Sequence, residues 1–322
     1  MVDQIFRSLL ISKDIEKTKK YLHSLKLREH IVPILNDLLF VSILVKNPNQ
    51  NAIHPVCLIN SIKNIIGDNK QNPSLTLLEF CIEFLADFEL RNNDQIALDE
   101  TAKDGIGLTA FLGDLEDACQ HGEWETAKHL TAKTFLASDQ SRGVLDSLCE
   151  LALQDSKRNS LFIFHVLRAY QFQESKDDNW AYTTCVFDWV SQQTLPPAHE
   201  KHNVEPNQFI DTMIQGGDLN WFAAVTRLWD GDYVRIRSYQ RELSYGLSQF
   251  ADMNQPRKSG VQHWINSQNK TKYIEAAEKI TLSNKSKSEI TNQIVTLESV
   301  RALSRIATPE QKNILGQRLD EN

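Results

Sequence analysis

Two of the nine histidines place an imidazole among apolar neighbours. His165 stands in the run SLFIFHVLRAY at 160–170, with Arg168 three residues on and Tyr170 nearby. His54 stands in AIHPVCLI at 52–59, at the start of a helix opened by Pro55. A buried imidazole needs a hydrogen-bond partner, and its protonation follows its surroundings. Two roles follow. Each ring satisfies a buried helix end or a loop carbonyl, or both share one interior pocket as ligands or proton-transfer groups. Their separation along the chain decides nothing between these.

The other histidine groupings carry less chemistry. His199-Glu200-Lys201-His202 is one residue short of zincin spacing and falls in a proline-rich stretch, so it reads as a solvated loop. Glu125 and His129 share a helical face by their i,i+4 spacing, and Gly122 separates His121 from that helix; capping and surface pairing account for the group. Neither is a metal site. No glycine-rich phosphate loop, GxSxG elbow, HExxH or paired ExxH pattern occurs. No cofactor is identified. Aromatic residues cluster around Trp180, Tyr182, Phe187 and Trp189, and again around Trp221 and Trp229. Such clusters pack between helices or line a groove. If they line a groove, Trp221, Trp229, Tyr233, Arg235 and Arg237 form an aromatic and arginine face for an acidic protein partner or a carboxylate.

The stretch 114–172 contains LEDACQHGEWETAKHL, then VLDSLCELALQDS, then SLFIFHVLRAYQF. It resembles the all-helical region of questin-oxidase-like proteins, over about a third of the chain. There a helix pair around a glycine-acidic turn precedes a helix with an in-line histidine, which His165 matches. His54-Pro55 is similar to their other histidine-bearing helix start. The resemblance implies an oxidoreductase-like helical fold with a cavity between helices.

Helices must position these residues. Segments 14–26, 73–90, 141–154, 160–173 and 179–193 carry 3.6-residue apolar periodicity, and no segment alternates as a strand does. Pro73 after Asn72 reads as the first residue of its helix. A weak repeat links LEDACQHGEWETAKHL at 115–130 with IDTMIQGGDLNWFAAV at 210–225, and TRLWDGDYVRIRSYQREL from Thr226 varies it. Glycine ends one helix in a left-handed conformation, an acidic residue caps the next, and an aromatic wedges between them. The expected fold is all-α, an array of antiparallel helical hairpins, solenoid-like or a multi-helix bundle. LPPAHEKHNVEP at 195–206 is the best linker, dividing an N-terminal array (1–194) from a C-terminal region (207–322). Residues 104–107 are a second irregular stretch.

Apolar residues at 41% of 322 supply a sizeable core. The net charge of −7 disfavours phosphate backbones and anionic lipid. The basic C-terminal stretch of Arg257, Lys258, Lys270, Lys272, Lys279, Lys285 and Lys287 is interspersed with Glu275, Glu278 and Glu289, and reads as a solvated mixed face. Cys57, Cys81, Cys119, Cys149 and Cys185 form no CxxC pair and read as buried thiols of a reducing compartment. No signal peptide or membrane-length apolar run appears, so a cytoplasmic location is expected. Repeat grammar and sparse catalytic residues favour a non-catalytic interaction or scaffold module, with a protein partner and room for a small-molecule ligand. The alternative is a questin-oxidase-like oxidoreductase with His54 and His165 in one pocket.

Overall fold

The computed structural model describes residues 2–104, 111–250, 262–267 and 269–321. Arg257, Lys258 and Gly107 lie outside them. The described chain is all-helical: α1 (Val2–Ile11), α2 (Ile15–Ser24), α3 (Leu27–Ile43), α4 (Pro55–Ile66), α5 (Leu75–Leu85), α6 (Asp94–Asp104), α7 (Leu112–Gln120), α8 (Trp124–Ala137) and α9 (Gly143–Leu153). Then follow α10 (Ser156–Phe172), α11 (Asn179–Val190), α12 (Ile210–Gly216), α13 (Leu219–Trp229), α14 (Ile236–Ser248), α15 (Thr271–Thr281), α16 (Lys287–Leu303) and α17 (Pro309–Asp320). Among the described residues no strand forms; a single antiparallel bridge pairs Val45 with Leu90.

Local chemistry sets many helix starts. Asp14 accepts from the Lys17 amide, and Asp218 from the amides of Asn220 and Trp221. Ser286 with Glu289, and Thr308 with Gln311, form reciprocal capping boxes. Pro73 is not the first residue of α5. Ser74 takes the cap, its hydroxyl accepting from the Leu77 amide, and the helix begins at Leu75. The hydroxyl satisfies an amide that would otherwise be orphaned, so it outweighs the proline signal.

The repeated turns share an outline and differ in mechanism. Gly122 adopts φ +72°, the left-handed conformation expected, yet Glu123 makes no side-chain cap. Gly217 has an ordinary φ of −77°, while Asp218 does cap α13. Glycine is needed there for space: a Cβ would lie 2.4 Å from Met213 Cε and 3.0 Å from Met213 Cα.

The centre of the molecule is a closed ring of four helices. α4 packs on α10, α10 on α13, α13 on α16, and α16 back on α4. α10 also touches α3, α9, α11 and α14. It buries Phe162, Ile163, Phe164, Val166 and Leu167, each contributing about 1.5–3 kcal/mol. Helices from both sides of 195–206 share one continuous core. That connecting segment is irregular, but it is not simply solvated. His199 Nδ1 pairs with Glu242 at 2.7 Å, and its ring stacks on Tyr245 at 3.5 Å. His202 is exposed, although its backbone amide donates to Ser244 Oγ at 2.9 Å. All five cysteines are buried free thiols. No described helix is long and apolar enough to cross a membrane.

Candidate functional site

α4 carries a polar stripe through an apolar interior. His54 is its N-cap, and Asn60, Lys63 and Asn64 lie from the middle of the helix onward. Their partners come from α10, α11 and α16.

At the N-terminal end, His54 Nδ1 accepts from the Val56 amide at 3.1 Å, which holds the ring by a bond within its own turn. Its Nε2 faces Cys185 Sγ at 3.9 Å. The ring packs against Phe162 (4.8 Å between centroids) and Trp189 (5.6 Å), which stack on each other at 4.7 Å. These side chains line a cleft of about 580 Å³, with Phe84 and Phe88 also in its wall and Arg158 and Lys287 at its polar edge. Burial, aided by the nearby Arg91 charge, lowers the His54 pKa to about 3, so the ring is neutral at pH 7. An amide network fixes the wall. Trp189 Nε1 donates to Asn159 Oδ1 at 2.9 Å, and Asn159 Nδ2 donates to Gln193 Oε1 at 3.0 Å. Gln193 Nε2 and an Arg158 guanidinium nitrogen both donate to Gln50 Oε1 at 3.1 Å, which holds the 46–54 loop against α11.

A second cleft of about 560 Å³ lies across that loop. Arg91 pairs there with Asp94 at 3.0 Å and Asp188 at 3.4 Å. Burial raises the Asp188 carboxyl above its ordinary value, against the pull of Arg91. Trp180 Nε1 donates to the Asp94 carbonyl at 2.6 Å.

Farther along α4 the ring encloses charge. Asn60 Nδ2 donates to His165 Nδ1 at 2.8 Å. Glu298 of α16, fully buried, accepts from Arg227 at 2.7 and 2.9 Å and from Asn64 at 3.1 Å. Arg301 reaches Glu298 at 3.6 Å and Asp68 at 3.1 Å. The Arg227 guanidinium lies 3.8 Å over the Phe164 ring. Burial works to raise the Glu298 carboxyl, but Arg227 and Arg301 outweigh it and bring it to about 2. Burial, with Arg227 and Lys63 adding to it, lowers His165 to about 3 against the pull of Glu298.

His54 and His165 are thus both buried, as the apolar runs around them imply, and they differ in role. Six residues of α4 separate His54 from Asn60, the partner of His165, or about 9 Å of helix. His54 lines the aromatic cleft; His165 belongs to the charged interior and lines neither cleft described above.

Of the residues expected to form a docking face, Trp221 and Tyr233 are in the core, and Trp221 Nε1 donates to the Ser156 carbonyl at 3.0 Å. Arg235 pairs with Glu116 at 2.8 Å and with Glu150. Trp229 is half-buried and Arg237 is exposed. Among the described residues no group of three or more histidine, cysteine or acidic side chains is arranged to hold a metal ion.

Sequence reasoning passed over Asn60, Lys63, Arg227, Glu298 and Arg301. One local signal existed: Lys63 and two asparagines interrupt the apolar run PVCLINSIKNII. Arg227 and Glu298 are 71 residues apart, and no spacing rule joins them.

Comparison of the chain with known protein families, curated proteins and solved structures gives no match.

Proposed function

We propose that the chain is a non-catalytic binding module, a body of packed helical hairpins whose ligand site is the cleft beside His54. One observation carries the reading: a cleft of about 580 Å³ whose wall joins the edges of the largely buried Phe84, Phe162 and Trp189 to polar Asn51, Asp87, Thr291 and Asn292, with Arg158 at its edge. That volume is in the range that encloses a small organic molecule. Aromatic walls suit a flat apolar body, and an arginine at the edge suits an anionic head. Lys287 is already engaged by Asp87 at 2.5 Å, whereas the Arg158 guanidinium has no carboxylate partner among the described residues. His54, neutral at pH 7, serves as wall and helix cap. An oxidoreductase reading asks for both histidines in one pocket, and His54 alone lines this cleft.

The test is fluorescence titration with 1-anilinonaphthalene-8-sulfonate, whose apolar body and sulfonate head match the cleft. Saturable binding is expected, with Arg158→Ala weakening it about tenfold, the worth of one charge-assisted contact. Equal affinity in the two proteins rules out the cleft as the ligand site.

A further inference from the structure

The four-helix ring gathers cationic side chains at its centre. Lys63, Arg227 and Arg301 project from α4, α13 and α16, and Arg168 of α10 adds its charge to the field at Lys63. Against them stand Glu298 and Asp68. Exposed Arg305 shares Asp68 from outside, at 3.6 Å. His165 is neutral at pH 7 and offsets none of this. Arg227 and Arg301 are matched by Glu298 and Asp68, whereas the buried Lys63, its pKa lowered to about 7, keeps its proton at higher pH only if an anion joins it.

The donors there are also under-used. Among the described residues, His165 Nε2, Arg227 Nη2 and Arg301 Nε are buried without a hydrogen-bond partner, as are Asn60 Oδ1 and Ser299 Oγ of the same ring. His165 is fully buried and Arg301 is 7% exposed. With Nδ1 accepting from the Asn60 amide, the His165 Nε2 carries the proton and donates to nothing. Lys63 is 7% exposed, and its ammonium faces the Phe172 ring at 4.7 Å without an ion-pair partner among the described residues. Buried donors in native proteins are nearly always satisfied, so unsatisfied N–H groups on three helices of one ring mark a place for an acceptor. Arg168 is exposed near the C-terminal end of α10, and its charge acts on Lys63 from that side.

We propose that the ring of α4, α10, α13 and α16 is a binding site for a phosphate group, held by Lys63, His165, Arg227 and Arg301 with Arg168 beside it. A tetrahedral oxyanion presents acceptor oxygens in several directions at once, which matches donors arriving from separate helices better than a flat carboxylate does. Its charge would pair with the Lys63 ammonium, which Glu298 and Asp68 leave without a partner. The site is distinct from the His54 cleft, so either assignment stands or falls without the other.

The experiment measures thermal unfolding and calorimetric binding with inorganic phosphate, phenyl phosphate and acetate, each against sodium chloride of equal ionic strength. The variants are Lys63→Met and Arg168→Gln. Lys63→Met keeps the side-chain length and removes a cation that its neighbours repel; Arg168→Gln changes an exposed residue, and far-ultraviolet circular dichroism checks both folds. Saturable stabilisation by phosphate is expected in the unmodified protein, weakened about tenfold or more by Lys63→Met and about threefold or more by Arg168→Gln. Stabilisation by phenyl phosphate alone also supports the site and assigns the phosphate to a larger ligand. No binding of either phosphate, undiminished binding in both variants, or acetate binding as tightly as phosphate overturns it. If Lys63→Met does not fold, Arg168→Gln decides: unchanged affinity overturns the proposal.

Discussion

Replacing Lys63 by methionine removes a buried charge that the fold holds at a disadvantage, and the size of that disadvantage follows from its surroundings. Burial is the largest effect on its ammonium, the Arg168, Arg301 and Arg227 charges add to it, and Glu298 opposes them; together they lower the pKa from 10.5 to about 7. The shift of roughly 3.5 pH units corresponds to about 5 kcal/mol at about 1.4 kcal/mol per unit, an upper bound because the side chain relaxes toward solvent. Between pH 7 and 10.5 the unfolded chain still holds this proton while the folded protein has released it. Stability attributable to Lys63 therefore rises with pH across that window, approaching about 1.4 kcal/mol per unit, and the full penalty applies below pH 7. Lys63→Met lacks the dependence. The assay is urea unfolding of both proteins from pH 6.5 to 9.5 in buffers free of phosphate, since a bound oxyanion would hold the proton in place. Lys63→Met is expected to be the more stable at pH 6.5, with the gap closing by about 3 kcal/mol by pH 9.5. Burial raises all five thiols, which lowers stability above pH 9 in both proteins and cancels in the difference. A gap that stays constant across the range refutes the account of Lys63 as a buried, repelled ammonium.

Three further outcomes follow from the same interior. Glu298→Gln leaves Arg227 and Arg301 without their shared carboxylate and is expected to lose about 3–5 kcal/mol in urea unfolding; a loss below about 1 kcal/mol would mean that water already screens the pair. His54 and His165 titrate near 3 in the folded protein against about 6.5 unfolded, so the stability they provide is complete above pH 6.5 and is lost as pH falls toward 3. Nuclear magnetic resonance of the imidazole protons at pH 5 is expected to show both rings neutral, and a charged ring at either position contradicts its burial. Gly122→Ala forces a side chain into φ +72° and is expected to cost about 1 kcal/mol in thermal unfolding, whereas an unchanged melting temperature would show that the turn relaxes freely.

Much of the architecture was local, and local features are legible in a sequence. Apolar runs of helical length marked the helices at 143–153, 156–172 and 179–190, which the fold buries on most sides. His54 as a helix start was equally legible: its ring bonds an amide two residues away. Ser74 was missed because two cap signals, a proline and a hydroxyl, stood side by side, and the hydrogen bond rather than the ring constraint set the boundary.

The site was another matter. An aromatic-rich helix does not announce which neighbour its rings will face, so Trp221 and Tyr233, equally suited to a groove, are packed inside. The tertiary structure alone decided that His165 would meet Asn60, 105 residues earlier, and that α16 would close against α4 to bring Glu298 to Arg227. Such pairings arise from the packing of whole helices, whose relative placement depends on every apolar contact in the core. Sequence therefore determined that this protein is a body of helices with two enclosed imidazoles. Tertiary packing separated them, setting one beside a cleft and the other among the buried ion pairs of the four-helix ring.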